Sequence, residues 1–176
     1  MHNVVPLHAP EETENEVAAL EPASWLVLWG LRHWALCHRQ EQSAWPMLND
    51  LFGRNQVGAA AYSLNGLMQI TALTTKRSLE VRCPACRKLS DDERLMLRAV
   101  CVAQTGNIEA ARGILRDWLP ETAVRMASHM VFGLADILAD AGYELRPHAV
   151  RGGAWRPVDA VGGPQAGRAK LTTKPT

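Results

Sequence analysis

The sequence predicts an all-α fold: one irregular bundle of about five to six helices between disordered ends. Three observations predict it. Apolar residues recur at spacings of three and four through most of the chain, the period of a helix with one buried face. Prolines stand where helices start and glycines where they stop. Ser90-Asp91-Asp92-Glu93 has the form of a capping box, with Ser90 and Glu93 set to satisfy each other's backbone amides.

The chain has 176 residues, a length that suggests one domain, with a formal net charge of +1. That balance provides no global field for nucleic acid or an anionic membrane. Residues 1–21 carry five glutamates and no lysine or arginine, and they read as a disordered acidic leader. Residues 145–176 carry Arg146, Arg151, Arg156, Arg168, Lys170 and Lys174 against Asp159, with Gly-Gly pairs and no period. They read as a disordered basic tail, in which Trp155 is an isolated aromatic of the kind that anchors partner-binding motifs. The domain is placed at residues 22–144.

The first helix is predicted over residues 23–40. It is apolar nearly all round from Trp25 to Leu31, so it should be the most buried element. A short helix over residues 43–52 follows, with Pro46 in its first turn and Gly53 as its stop. A longer one over residues 55–77 carries Val57, Ala61, Leu64, Met68 and Thr71 on one face, widened by Ala60 and Leu67. Residues 78–82 read as an extended connection. The Ser90 box opens a helix to Gln104, Gly106 stops it, and Asn107 restarts one to Trp118. After Pro120 a long helix reaches Ala141, with Ala123, Met126, Met130, Leu134, Ile137 and Leu138 as its stripe and Gly142 as its terminator.

One motif carries chemistry. Val81-Arg82-Cys83-Pro84-Ala85-Cys86-Arg87 resembles one knuckle of a zinc ribbon, in which a tight turn aims two sulfurs at one ion. Arg82, Arg87 and Lys88 favour the thiolates. The resemblance covers those residues only and implies a structural zinc. The best donors for its other two positions are His33 and Cys37, one turn apart on one helix face. Cys101 is less suitable, lying about 16 Å down its own helix from the Ser90 end. Whether Cys37 meets the cysteine turn depends on topology. If the short helix is a separate leg, the long helix ends beside Cys37; if it only widens a turn, the long helix ends at the far end.

Alternatives stand beside the metal site. Cys37 and Cys101 also suit the core, and His33 suits a hydrogen-bonded helix position. Cys83 and Cys86 also fit a reversible dithiol. Lys76, Arg77, Arg82, Arg87, Lys88, Arg94 and Arg98 surround the turn and are compatible with phosphate contact. Residues 95–118 have helix-turn-helix proportions but few side chains suited to base edges, so they read as a hairpin packed in the bundle.

No phosphate loop, nucleophile elbow or paired-histidine metalloprotease motif is present, which disfavours an enzyme. No apolar run is long enough for a membrane span. Cysteines without a secretory leader point to a reducing cytoplasm. The reading is a cytoplasmic, non-enzymatic helical protein that acts through contacts with a protein partner, with a zinc-stabilised corner at Cys83 and Cys86. A nucleic-acid-binding regulator and a thiol redox sensor or enzyme are the alternatives.

Overall fold

The structure is a computed structural model, and it describes residues 16–146. Among these residues are six helices and no strand: α1 (Pro22–Arg39), α2 (Trp45–Arg54), α3 (Ala59–Thr74), α4 (Asp91–Gln104), α5 (Ile108–Leu115) and α6 (Glu121–Asp140). The all-α expectation is met. No helix among the described residues is long and apolar enough to cross a membrane.

Helix starts follow the chemistry of their first residues. Proline occupies the first turn of α1 and of α2, where its missing N–H costs nothing. Ser90 Oγ accepts the Glu93 amide at 3.1 Å, and the Glu93 carboxylate accepts the Ser90 amide at 2.9 Å, so the capping box of α4 is complete. Asn107 caps α5 through the Ala110 amide at 3.0 Å. Gly106 and Gly142 take φ of +74° and +79° after α4 and α6, a region that favours glycine.

Two boundaries differ from the sequence reading. Gly53 does not stop α2; Gln56, at φ 61°, makes the left-handed turn instead. Val57 is then buried ahead of α3 rather than within it, and Thr75 already has extended backbone, so α3 is shorter at both ends than its periodicity suggests. The buried face of α6 is also rotated. Val124, Ala127, Val131 and Ala135 face inward, while Met126 is 61% exposed, because the small residues allow close approach to α3 and α4.

α1 and α3 run in the same sense. A Cβ on Gly30 would lie 2.6 Å from Leu64 Cδ2, Trp34 Nε1 donates to Asn65 Oδ1 at 2.9 Å, and Ala35 and His38 share a cleft with Thr71 and Ala72. The short α2 is therefore a separate return leg. α6 packs antiparallel on α3: a Cβ on Gly66 would lie 2.7 Å from Met130 Sδ, and one on Gly133 3.1 Å from Ser63 Oγ. α4 and α5 close the bundle against α6.

Described residues on either side of 22–144 also contact the bundle. Val17 and Leu20 pack on the core, Leu145 is buried, and the Arg146 amide donates to Glu21 Oε1 at 2.9 Å, which ties the two ends together. The rest of the leader and tail readings, including Trp155, falls on residues 1–15 and 147–176, outside the described residues.

Gly30 and Gly113 provide a paired test of this packing. Gly30→Ala forces a methyl group into Leu64 and Phe52 and should destabilise by about 1–3 kcal/mol. Gly113→Ala, on α5 with nothing within 4 Å, should stabilise by up to about 1 kcal/mol. Urea unfolding of both variants checks the opposite signs.

Candidate functional site: an ion-paired frame around the cysteine turn

Residues 75–90 connect α3 to α4 without regular structure. Such a segment, lying against a bundle, must still satisfy its backbone amides and carbonyls. Here charged side chains take the place of a neighbouring strand. Arg32 and Glu93 form a bidentate pair, Nε to Oε1 at 2.8 Å and Nη2 to Oε2 at 2.9 Å, with side chains 1% and 0% exposed. The unused sides of both groups face the connection. Glu93 accepts the amides of Arg82 and Ser90, each at 2.9 Å. Arg32 donates to the carbonyls of Cys86 at 2.6 Å and Lys88 at 2.9 Å.

Asp92 holds the first half of the segment. It accepts from Arg77 at 2.6 and 3.1 Å, from the Glu80 amide at 2.7 Å and from the buried Trp118 indole at 3.1 Å. Burial acts to raise its carboxyl, but the hydrogen bonds from Arg77, Glu80 and Trp118 outweigh it and hold the group below its ordinary range. Arg77 is correspondingly raised by its hydrogen bonds to Asp92 first and Asp117 second. At the far end Glu16 accepts the Leu89 amide at 2.9 Å and pairs with Arg94 at 2.7 Å. The acidic run at 91–93 is thus a helix start, as expected, and also an anchor for the connection.

The frame sets where the cysteines go. Arg39 reaches the Val81 carbonyl at 3.2 Å, Arg32 reaches Cys86, and the Val17 amide donates to the Arg87 carbonyl at 3.1 Å. The segment therefore runs back along α1, from its C-terminal end towards its start. α3 does end beside the Cys37 end of α1, but the connection then carries Cys83 and Cys86 back towards Trp29.

This corrects the zinc expectation. The Cys83 and Cys86 sulfurs are at disulfide distance from each other, with Cα atoms 5.4 Å apart. Among the described residues no group of three or more His, Cys, Asp or Glu could hold a metal ion. His33, expected as a ligand, has its Nδ1 2.9 Å from the Trp29 carbonyl and its ring against Trp29 at 4.0 Å. Cys37 is a half-buried free thiol packed on the core, and Cys101 is a buried one. Burial first and the Glu21 charge second push the Cys101 thiol up.

The turn itself is tight, with the Cys86 amide donating to the Cys83 carbonyl at 3.0 Å and Pro84 after the first cysteine. Cys83 is exposed and Cys86 half-buried. Beside it, the Trp25 and Trp29 rings stack at 5.2 Å and 12°. Three of the seven cations around the turn pair with carboxylates of the chain: Arg77 with Asp92 and Asp117, Arg82 with Glu80, and Arg94 with Glu16. Arg32 is a functional residue that the sequence analysis does not single out; a lone charge directly after the apolar run Trp25–Leu31 is the available signal. No family model, curated protein or solved structure matches this chain.

Glu93→Gln leaves the Arg32 charge buried without its partner and should cost about 3–5 kcal/mol in urea unfolding. Asp92 provides a pH test. Because its folded value is lowered, its contribution is present above the ordinary aspartate range and is lost as pH falls through the folded value. The stability difference between wild type and Asp92→Asn should therefore shrink on acidification from neutral pH; a gap independent of pH contradicts the assignment.

Proposed function

We propose that the chain is a thiol–disulfide switch, in which Cys83 and Cys86 interconvert between dithiol and disulfide and a protein partner reads the change. The observation that carries the reading is the pair itself, with its sulfurs at disulfide distance in an exposed turn whose flanks are pinned by Arg32, Glu93 and Asp92. Pinned flanks keep the sulfurs close in both states, so the change stays local and reversible. A hydroperoxide supplies the oxidising equivalents. One thiolate displaces alkoxide or hydroxide from the peroxide to give a sulfenic acid, and the second thiol displaces water to close the disulfide. Two thiols and one hydroperoxide give one disulfide, one alcohol or water from the peroxide, and one further water.

The reading is of a switch rather than an enzyme, and its setting is the cytoplasm. There the resting state is the dithiol, and oxidation carries information. Selectivity follows from environment: Cys101 is buried with a raised thiol pKa, and Cys37 is packed on the core, so oxidation starts at the exposed Cys83 and closes on Cys86 beside it.

Stoichiometric hydrogen peroxide, followed by alkylation and mass spectrometry, tests this. The reactive thiol count should fall from four to two, with Cys37 and Cys101 the survivors, and dithiothreitol should restore it. Consumption of Cys37 or Cys101 before the pair, or four thiols surviving the oxidant, contradicts the proposal.

A further inference from the structure

The partner's chemistry is written into the cleft beside the switch. Val17 and Leu20 form one side of it, Trp25 and Trp29 another, and Pro84 and Cys86 the third. We infer that this cleft docks an acidic peptide segment carrying two cysteines, and that the docked segment exchanges its thiols with the Cys83–Cys86 disulfide. The inference rests on the switch reading and names the partner of that same site.

Three observations point to this occupant. The first is chemical: a disulfide in a cleft wall reacts with a thiolate, so a docked partner that turns the switch must bring one. The second is the aromatic wall. Trp25 is 41% exposed although it stacks on Trp29, so a large flat apolar face remains outside the core. Exposed tryptophan beside a cleft is the residue type that dominates binding energy at protein contacts. The third is charge. Arg87, exposed, is the one charged residue lining the cleft among the described residues, and Lys88 follows it. Among the described residues no carboxylate lines the cleft to balance them, so acidic segments are favoured over basic ones.

The geometry sets the order of exchange. A thiolate arriving from the cleft meets Cys86 first, because Cys86 belongs to its wall and Cys83 faces solvent. A new bond forms between the partner sulfur and Cys86 Sγ. The electron pair of the old S–S bond leaves on Cys83 Sγ, which takes a proton from water. The partner's second thiolate then attacks its own sulfur in the mixed disulfide and releases Cys86 as a thiolate, which is protonated in turn. The chain's disulfide gains two electrons and two protons, and the partner's two thiols lose them.

The test uses the full chain in its oxidised form. The probes are a reduced acidic peptide with two cysteines, a lysine-substituted version of it, and dithiothreitol as a thiol too small to use the cleft. The quantity read is the peptide rate constant divided by the dithiothreitol rate constant for the same protein. For the wild type this ratio should be higher for the acidic than for the basic peptide, and the gap should close with added salt. Trp25→Ala should lower the ratio for the acidic peptide more than about fivefold. Arg87→Glu should reverse the charge preference. Tyr62→Ala, an exposed aromatic outside the cleft, should leave the ratio as in the wild type. If Trp25→Ala and Arg87→Glu both keep the wild-type ratio, docking in this cleft is wrong while exchange stands. If dithiothreitol itself fails to reduce the chain, the switch reading falls instead.

Discussion

A guanidinium and a carboxylate with almost no exposure, Arg32 and Glu93, hold the part of this molecule that regular structure does not. A buried pair of this kind is a poor source of net stability, because the desolvation of both charges offsets much of their attraction. Its value here is geometric. Each group uses one side on the other and presents its remaining donors or acceptors to the backbone of residues 82–90. Amides meet a carboxylate and carbonyls meet a guanidinium, so the connection gains the hydrogen bonds of a strand without having a neighbouring strand.

That arrangement links the ends of the sequence-to-function chain. The capping box places Glu93 at the start of α4, and the same carboxylate that completes the cap also closes on Arg32. Asp92, one residue earlier, repeats the device for Arg77, Glu80 and Trp118. The segment is thereby fixed before and after the cysteine turn, while the turn itself, with Cys83 exposed, meets solvent beside the Trp25–Trp29 stack. In the proposed switch, this frame would confine a thiol–disulfide change to the turn and the surface beside it.

Much of the fold was legible because its signals are local. The Ser90 box, the prolines of α1 and α2, the Asn107 cap and the terminating Gly142 each act within one turn, and each marks its element as the sequence suggests. The misread details are those decided by neighbours. Met126 fits the helical period but faces outward, because Val124 and the small residues of α6 pack better against α3 and α4. The zinc corner failed for a topological reason. His33 and Cys37 do share a helix with the residues that meet the cysteine turn, and α2 is a separate leg as one alternative required. The connection then retraces α1, which leaves the sulfurs to each other. Arg32 and Glu93 are 61 residues apart, and no local pattern pairs them.

Amide hydrogen exchange across residues 76–90, compared between the reduced and oxidised protein, tests most directly whether this frame confines the cysteine chemistry. The account predicts that the Arg82 and Ser90 amides, held by Glu93, and the Glu80 amide, held by Asp92, stay protected in both states. Change should be limited to the Cys83–Cys86 turn and the adjoining cleft. Loss of protection across the whole segment on reduction would contradict the account: the disulfide, and not the Arg32–Glu93 pair, would then be what holds the connection in place.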